Sequence, residues 1–169
     1  MIKSILCVDN KYGIGKKNGL LFSLPTDMKF FRDTTRGHTV FMGENTLLSF
    51  PGSKPLVKRV NVVLSQDESH NYDGVVNVHD FNEFLLKMKE YSKDDVVYVI
   101  GGASIYRQTL PYVDEVLLTK ANADGEAEVF FPNLDEMAEF ECVDEGTPIM
   151  DGDIEIRFTR YINKAKKEI

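Results

Sequence analysis

The amino-acid sequence predicts an α/β fold: one domain with a mostly parallel central sheet flanked by helices and an antiparallel C-terminal hairpin. Three observations carry this. Apolar runs of strand length alternate with segments of helical periodicity, as a sheet built from β-α-β crossovers requires. The run "DVVYVI" (95–100) passes directly into "GGASIYRQTLP", a Gly-Gly turn opening a helix. The tail "FECVDEG" and "DIEIRFTRYI" alternates apolar and polar residues like an antiparallel pair.

In chain order, "IKSILCVD" (2–9) is rich in β-formers and ends in "NKYGIGKKNG", a polar loop with glycines at 13, 15 and 19. Pro25 in "LLFSLPTDMKFF" starts a helix that should run to about Thr35. "HTVFM" (38–42) is a short strand entering Gly43, and "ENTLLSF" a short helix closed by the breaker "PGSKP". "RVNVVLS" (59–65) and "GVVNV" (74–78) are further strands. In "DFNEFLLKMKEY", Asp80 and Glu83 have capping-box spacing, and Phe81, Phe84, Leu85 and Met88 recur at helical intervals. "VDEVLLTKA" (113–121) is a strand. No repeat or low-complexity segment interrupts the series. We expect one domain over 1–162 and a solvated tail, "NKAKKEI", over 163–169.

Composition bounds the function. Hydrophobic residues make up 43% and charged residues 28%, as in an ordinary globular protein. The net charge of −7 argues against a general nucleic-acid binder and obliges an anionic ligand to find local positive charge. The apolar runs are too short to span a membrane, and "MIKSILCVD" is too soon interrupted by Asp9 for a secretory signal. Cys7 and Cys142 have no metal-site spacing, so reduced thiols, a cytoplasmic location and no bound metal are expected.

Three stretches invite a chemical reading. "VIGGAS" brings backbone N–H groups and the positive end of a helix dipole to one point, which suits a diphosphate. It is not the G-x-G-x-x-G fingerprint, and on this motif alone a plain strand-to-helix turn is the commoner explanation. "NKYGIGKKNGLLF" reads as a lid hinged at its glycines or as an ordinary surface loop, its length favouring the lid. Asp27 falls in the first turn of its helix beside Met28 and Phe31, on the apolar side, while Lys29, Arg32 and Asp33 take the other. The helix dipole alone would favour an acid there. Burial among apolar neighbours would instead raise its pKa and require a hydrogen-bonding partner, such as a ligand with two adjacent N–H donors.

Taken together and in order, "SILCVDNKYGIGKKNGLLFSLPTDMKFF", "VFMGENTLLSF", "KRVNVVLS", "VYVIGGASIYRQTLP" and "DEVLLTKANADGEAEVFFP" resemble the dihydrofolate reductase family over the whole chain. The resemblance implies reduction of 7,8-dihydrofolate to tetrahydrofolate, a carrier in one-carbon metabolism, by hydride transfer from NADPH. It implies that Asp27 accepts hydrogen bonds from the pterin 2-amino group and N3–H, with Thr119 supporting it. Ile5, Met28, Phe31, Phe50 and Ile100 would wall the pterin and benzoyl ring, and Arg59 would hold the substrate α-carboxylate. Cys7, Ile14, Gly15, Asn18 and Leu20 would meet the nicotinamide from backbone and lid. Gly43, Glu44, Thr46, Ser65, Gly101, Gly102, Ser104, Ile105 and Tyr106 would serve the rest of the cofactor. Dihydrofolate and antifolate inhibitors are the implied ligands, with no nucleic acid and no membrane as partners, and a monomer is expected.

The chain departs from the family pattern in places. Phe22 stands where a Trp is usual. Glu44 stands where many members carry a basic residue toward the 2′-phosphate of NADPH, and Gln66 and Ser104 replace a serine and a basic residue. Glu44 pointing at the ribose would repel a phosphate and accept from a 2′-hydroxyl, so NADH would be used comparatively well. Alternatively Lys54, Lys58 or Arg107 supplies the charge, or Glu44 turns to solvent. The match around "SFPGSKPLVKRV" is loose, which bears on Arg59. Two other functions fit less closely: a folate- or nucleotide-binding protein of this fold with little or no turnover, and a pyrimidine reductase of riboflavin synthesis, which shares the Gly-Gly turn but is not expected to present the "LPTDMKFF" acid.

Overall fold

The structure is a computed structural model that describes every residue except Lys17 and Asn18. Its elements follow in order: β1 (Ile2–Val8), β2 (Gly13–Gly15), α1 (Pro25–Thr35), β3 (Thr39–Gly43), α2 (Glu44–Ser49), β4 (Val60–Leu64) and β5 (Val76–Val78). Then come α3 (Phe81–Tyr91), β6 (Val97–Gly101), α4 (Ala103–Thr109), β7 (Glu115–Ala121), β8 (Val129–Phe130), β9 (Phe140–Asp144), β10 (Ile149–Asp151) and β11 (Ile154–Asn163). The nine-stranded sheet has the order β10-β11-β7-β1-β6-β3-β4-β5, with β9 also on β11. From β7 to β5 all pairings are parallel, and β11 joins β7 antiparallel. The mostly parallel sheet and the antiparallel C-terminal hairpin are as the sequence predicts.

Alternation along β1 assigns the two faces. Ile2, Leu6 and Val8 face a core shared with Phe84 and Met88 of α3 and Ile105 and Tyr106 of α4. Ile5 faces the other way, into a core with Val40, Met42, Leu47 of α2 and Phe31 of α1. Cys7 lies on that second face too, against Leu24, Phe22, Ala121 and Phe158. The second face, where α1 crosses the sheet, therefore lies above the carboxyl ends of β1 and β7.

Local signals explain the helix starts. Asp80 caps α3 by accepting from the Glu83 amide at 2.8 Å. Pro25 occupies the first turn of α1, as expected, but Leu24 at the N-cap position offers no side-chain acceptor. The glycine-rich stretch after β1 reads as a polar loop in the sequence. It contains β2, which pairs with β8 in a small ribbon, because the backbone of Gly13 and Gly15 can approach the 129–130 segment closely. Strands expected from 95 and 113 begin at Val97 and Glu115, since the preceding Asp95 and Asp114 carboxylates instead accept from the Val96 and Ile2 amides. Segment 163–169 is largely exposed but is held: the Lys167 amide donates to the Pro111 carbonyl at 2.8 Å, and Lys166 pairs with Asp114. Among the described residues no helix is long and apolar enough to cross a membrane.

Gly146, between β9 and β10, has φ +68°, and a Cβ there would collide with the Phe158 carbonyl of β11. Gly37 has φ +82° and open space around it. Gly146→Ala should therefore lower Tm by about 5 °C or more, against a smaller loss for Gly37→Ala, which carries only the backbone strain. Thermal unfolding of both variants checks this, and equal losses would show that the collision is relieved.

Candidate active site

Asp27 lies in the first turn of α1 and faces the sheet, half-buried above the carboxyl end of β7. The Thr119 hydroxyl hydrogen-bonds its carboxylate. Thr119 is itself only 2% exposed and is fixed between Cys7 of β1 and Phe158 of β11. Burial pushes the Asp27 carboxyl above the ordinary range; the Thr119 hydrogen bond works against this, and the negative charge of Asp151 adds to it. Around it, burial first and then the Asp27 charge raise both the Cys7 thiol and the Tyr106 phenol. Both stay protonated at neutral pH, which leaves Asp151 as the charged group beside Asp27 on the sheet side. The Tyr106 hydroxyl donates to the Ile5 carbonyl at 2.8 Å, tying α4 to β1 beneath the site.

The expected walls assemble on this face. Ile5 and Ile100 are buried in the floor, and Phe31 and Phe50 pack half-buried against the same core. Met28 stands at the rim, 46% exposed. Arg59 is held by neutral acceptors: its guanidinium donates to Thr35 Oγ1 at 2.8 Å, to the Val57 carbonyl at 2.7 Å and to the Arg32 carbonyl at 3.0 Å. Burial, followed by the charges of Arg36 and Arg32, pulls its pKa down, which marks a local excess of positive charge where an anion is welcome. That local excess offsets the acidity of the whole chain.

On the other side of Ile100, Gly43 and Gly101 end neighbouring strands, Met42 pairing with Gly101. Each leads into a short helix whose N-cap glycine, Gly43 or Gly102, carries no side-chain acceptor. The first amides of α2 and α4 thus lie side by side without a cap. A Cβ on Gly43 would press within 3.1 Å of Ile105, and one on Gly101, at φ +128°, within 3.3 Å of Thr46 Oγ1. The Gly101–Gly102 peptide is cis. Two uncapped helix starts and a backbone with no side chain in the way fit the diphosphate of a dinucleotide. Ile105 and Tyr106 are buried, so a ligand would meet them through backbone only. Ser104 is exposed and accepts from Gln108.

Glu44 does not turn to solvent. Its carboxylate accepts from the Tyr72 hydroxyl at 2.7 Å and lies 3.0 Å from His70 Nδ1, while the Ser65 hydroxyl donates to the Asp67 carbonyl at 3.3 Å. The Tyr72 hydrogen bond is the main cause that holds it below the usual carboxylate range. His70 also reaches Asp67 at 3.3 Å. Of the cations that could answer Glu44, Arg107 is engaged with the Phe130 carbonyl.

The glycine-rich loop begins at Asp9, which is 2% exposed. Its root is tied down. The Asp9 carboxylate accepts from the amides of Lys11 (2.9 Å), Gly13 (2.7 Å) and Gly125 (3.1 Å), fastening the loop to the segment after β7. A Cβ on Gly125 would meet Leu21 at 2.9 Å and Phe22 at 3.1 Å, so that segment backs the Phe22 ring. Ile14 and Gly15 are half-buried and Leu20 is exposed; Asn18 lies outside the described residues. Asp9, Tyr72, His70 and Asp151 did not emerge from the sequence. A polar cleft of about 550 Å³, lined by Tyr12, Lys120, Asp135 and Arg157, lies on the opposite face of the sheet from Asp27. Among the described residues no group of three His, Cys, Asp or Glu is placed to hold a metal.

The family model described as dihydrofolate reductase matches residues 1–164. The dihydrofolate reductase of Staphylococcus haemolyticus is 31% identical over 140 residues, 82% of this chain and 81% of that protein. The Bacillus subtilis enzyme is 33% identical over 136 residues, 80% of this chain and 78% of that protein. Among solved structures, dihydrofolate reductase from Enterococcus faecalis complexed with NADP(H) and RAB-propyl superposes with a TM-score of 0.86 at 26% identity, covering 96% of both chains.

Because the Asp27 carboxyl is raised in the folded chain, the native state retains a proton that the unfolded chain has released. Its effect on stability is absent below the ordinary aspartate range and becomes unfavourable as pH rises through the folded value. Asp27→Asn should raise Tm by about 2 °C or more near about pH 7, and the gain should vanish near about pH 3. Thermal unfolding across pH checks this; a loss of stability at neutral pH would contradict the raised carboxyl.

Proposed function

The chain belongs to the dihydrofolate reductase family and reduces 7,8-dihydrofolate to 5,6,7,8-tetrahydrofolate with NADPH; we propose that Asp27 is the group that orients the pterin. The observation that carries the proposal is a desolvated carboxylate with a single hydroxyl donor behind it. The pterin edge, with its 2-amino group and N3–H, supplies the donors this carboxylate lacks. Antifolates presenting the same pair of donors would use the same edge.

NADPH, when bound, supplies the hydride that reduces C6 of the pterin. The protein's part is position and polarity. Ile5, Phe31, Phe50, Ile100 and Met28 hold the ring and exclude water, while Arg59 takes the α-carboxylate through whatever donor capacity its backbone acceptors leave. Asp27 keeps the pocket polar enough for N5 to gain its proton from water. Gly43, Thr46, Gly101, Gly102, Ser104, Ile105 and Tyr106 would cradle the diphosphate, and Cys7, Ile14, Gly15 and Leu20 would meet the nicotinamide. Phe22 keeps the apolar bulk of an indole but offers no N–H, so proton delivery cannot rely on a water held there.

The finer reading concerns the cofactor's ribose. Glu44, held by Tyr72 and His70, presents fixed negative charge at the carboxyl end of β3. Charge there weakens discrimination for a 2′-phosphate, and NADH is used comparatively well.

The test follows loss of reduced-nicotinamide absorbance with dihydrofolate, in parallel with NADPH and NADH. Turnover is expected with both, with kcat/KM differing by about 10-fold or less, one favourable charge contact being worth roughly that factor. Glu44→Arg should widen the ratio toward NADPH. Asp27→Asn should lower turnover by about 100-fold near about pH 7 and least where the substrate is already protonated. A strong preference of the unaltered chain for NADPH would refute the Glu44 reading, and bound substrate without turnover would favour a binding protein.

A further inference from the structure

Helix α1 carries Asp27 but does not cap itself. Its first amides have no intrahelical acceptor, and Leu24 at the N-cap position supplies none. The acceptor comes from the far end of the chain. Asp151, at the end of β10 and 4% exposed, takes the Thr26 amide on Oδ1 at 3.1 Å and the Asp27 amide on Oδ2 at 3.0 Å. Asp151 is itself fixed by pairing with Ile154 across the tight turn that joins β10 to β11.

We propose that Asp151 is a positioning residue for the reaction: as a remote cap it fixes the backbone of Asp27 against the sheet, and it is the second negative charge of the pterin site. The proposal rests on the reading of Asp27 given above. A bidentate cap on consecutive amides restrains both the start of α1 and the direction in which the Asp27 side chain leaves it. The titratable and charged groups around Asp27 are Cys7 on β1, Tyr106 on α4, Asp151 on β10 and, on the solvent side of its own helix, Lys29, Arg32 and Asp33. Cys7 and Tyr106 are protonated, so Asp151 is the charge that opposes ionisation of Asp27 from the protein side, and its effect has that sign.

Asp151→Asn keeps the size, can accept from only one amide and removes the charge. Three results are expected in the dihydrofolate assay: kcat/KM for dihydrofolate falls about 10-fold, by loss of alignment; the pH at which activity is lost moves to lower values; and the KM for NADPH stays within about twofold. A purely structural role would leave the pH profile in place, and a folded variant with unchanged profile and kcat/KM overturns the proposal. Asp151→Glu, which restores the charge on a longer arm, should return the pH profile but not the full kcat/KM. Should Asp151→Asn fail to fold, backbone hydrogen exchange on the unaltered chain decides: Thr26 and Asp27 amides as protected as the interior of α1 support the cap, and exchange at the rate of open first-turn amides refutes it. Turnover by the unaltered chain in the same assay separates failure of this proposal from failure of the Asp27 reading.

Discussion

A carboxylate held partly out of water over the carboxyl ends of β1 and β7 constrains much of the architecture around it. Asp27 needs a donor from the sheet and receives one from Thr119, which depends on Thr119 facing the α1 side. That facing depends in turn on the register that places Thr119 opposite both Cys7 and Phe158, because a slip of one residue would send its hydroxyl to the other face. The parallel core strands and the antiparallel hairpin meet along β7, and its pairing with β11 bears on the chemistry of the site as well as on stability.

Buried acids recur in this protein as acceptors for backbone amides. Asp9 gathers three amides from the glycine-rich loop and the segment after β7, and Asp151 gathers two from the start of α1. In both cases a carboxylate satisfies N–H groups at a loop turn or a helix start, and joins segments remote in sequence. Together with Asp27 they concentrate negative charge around Cys7, whose thiol is pushed up by burial first and then by all three. The thiol is consequently an apolar neighbour of the site and not a nucleophile. The positive charge an anionic substrate needs is set apart from these acids, where Arg59 sits near Arg32 and Arg36.

What could be read from the sequence was local. The start of α1 at Pro25, the Asp80 cap, the strand entering the Gly-Gly turn and the alternation of the tail are each written within a few residues of one another, and each stands in the structure. Asp27 could be placed on the apolar side of α1 by counting along the helix. Its partner could not, because Thr119 lies more than ninety residues away and its role follows from strand register; only the family resemblance pointed to it. Asp151 is 124 residues from the amide it caps at Asp27, and nothing local distinguishes it from any aspartate before a glycine turn. The holders of Glu44 were hidden for the same reason, since Tyr72 and His70 arrive from a loop without periodicity. The small β2–β8 ribbon was missed because glycines that allow close backbone approach also lower strand propensity.

The constraint on which the site depends is that Asp27 is a desolvated carboxylate which keeps its proton more tightly than an ordinary aspartate. Its most direct test is an NMR titration of the Asp27 side-chain carboxyl carbon in the uniformly labelled protein, assigned by its disappearance in Asp27→Asn. A midpoint above the ordinary aspartate value of about 3.9 is expected. A midpoint at or below that value would mean that the Thr119 hydrogen bond and the helix dipole outweigh burial, and would contradict the account.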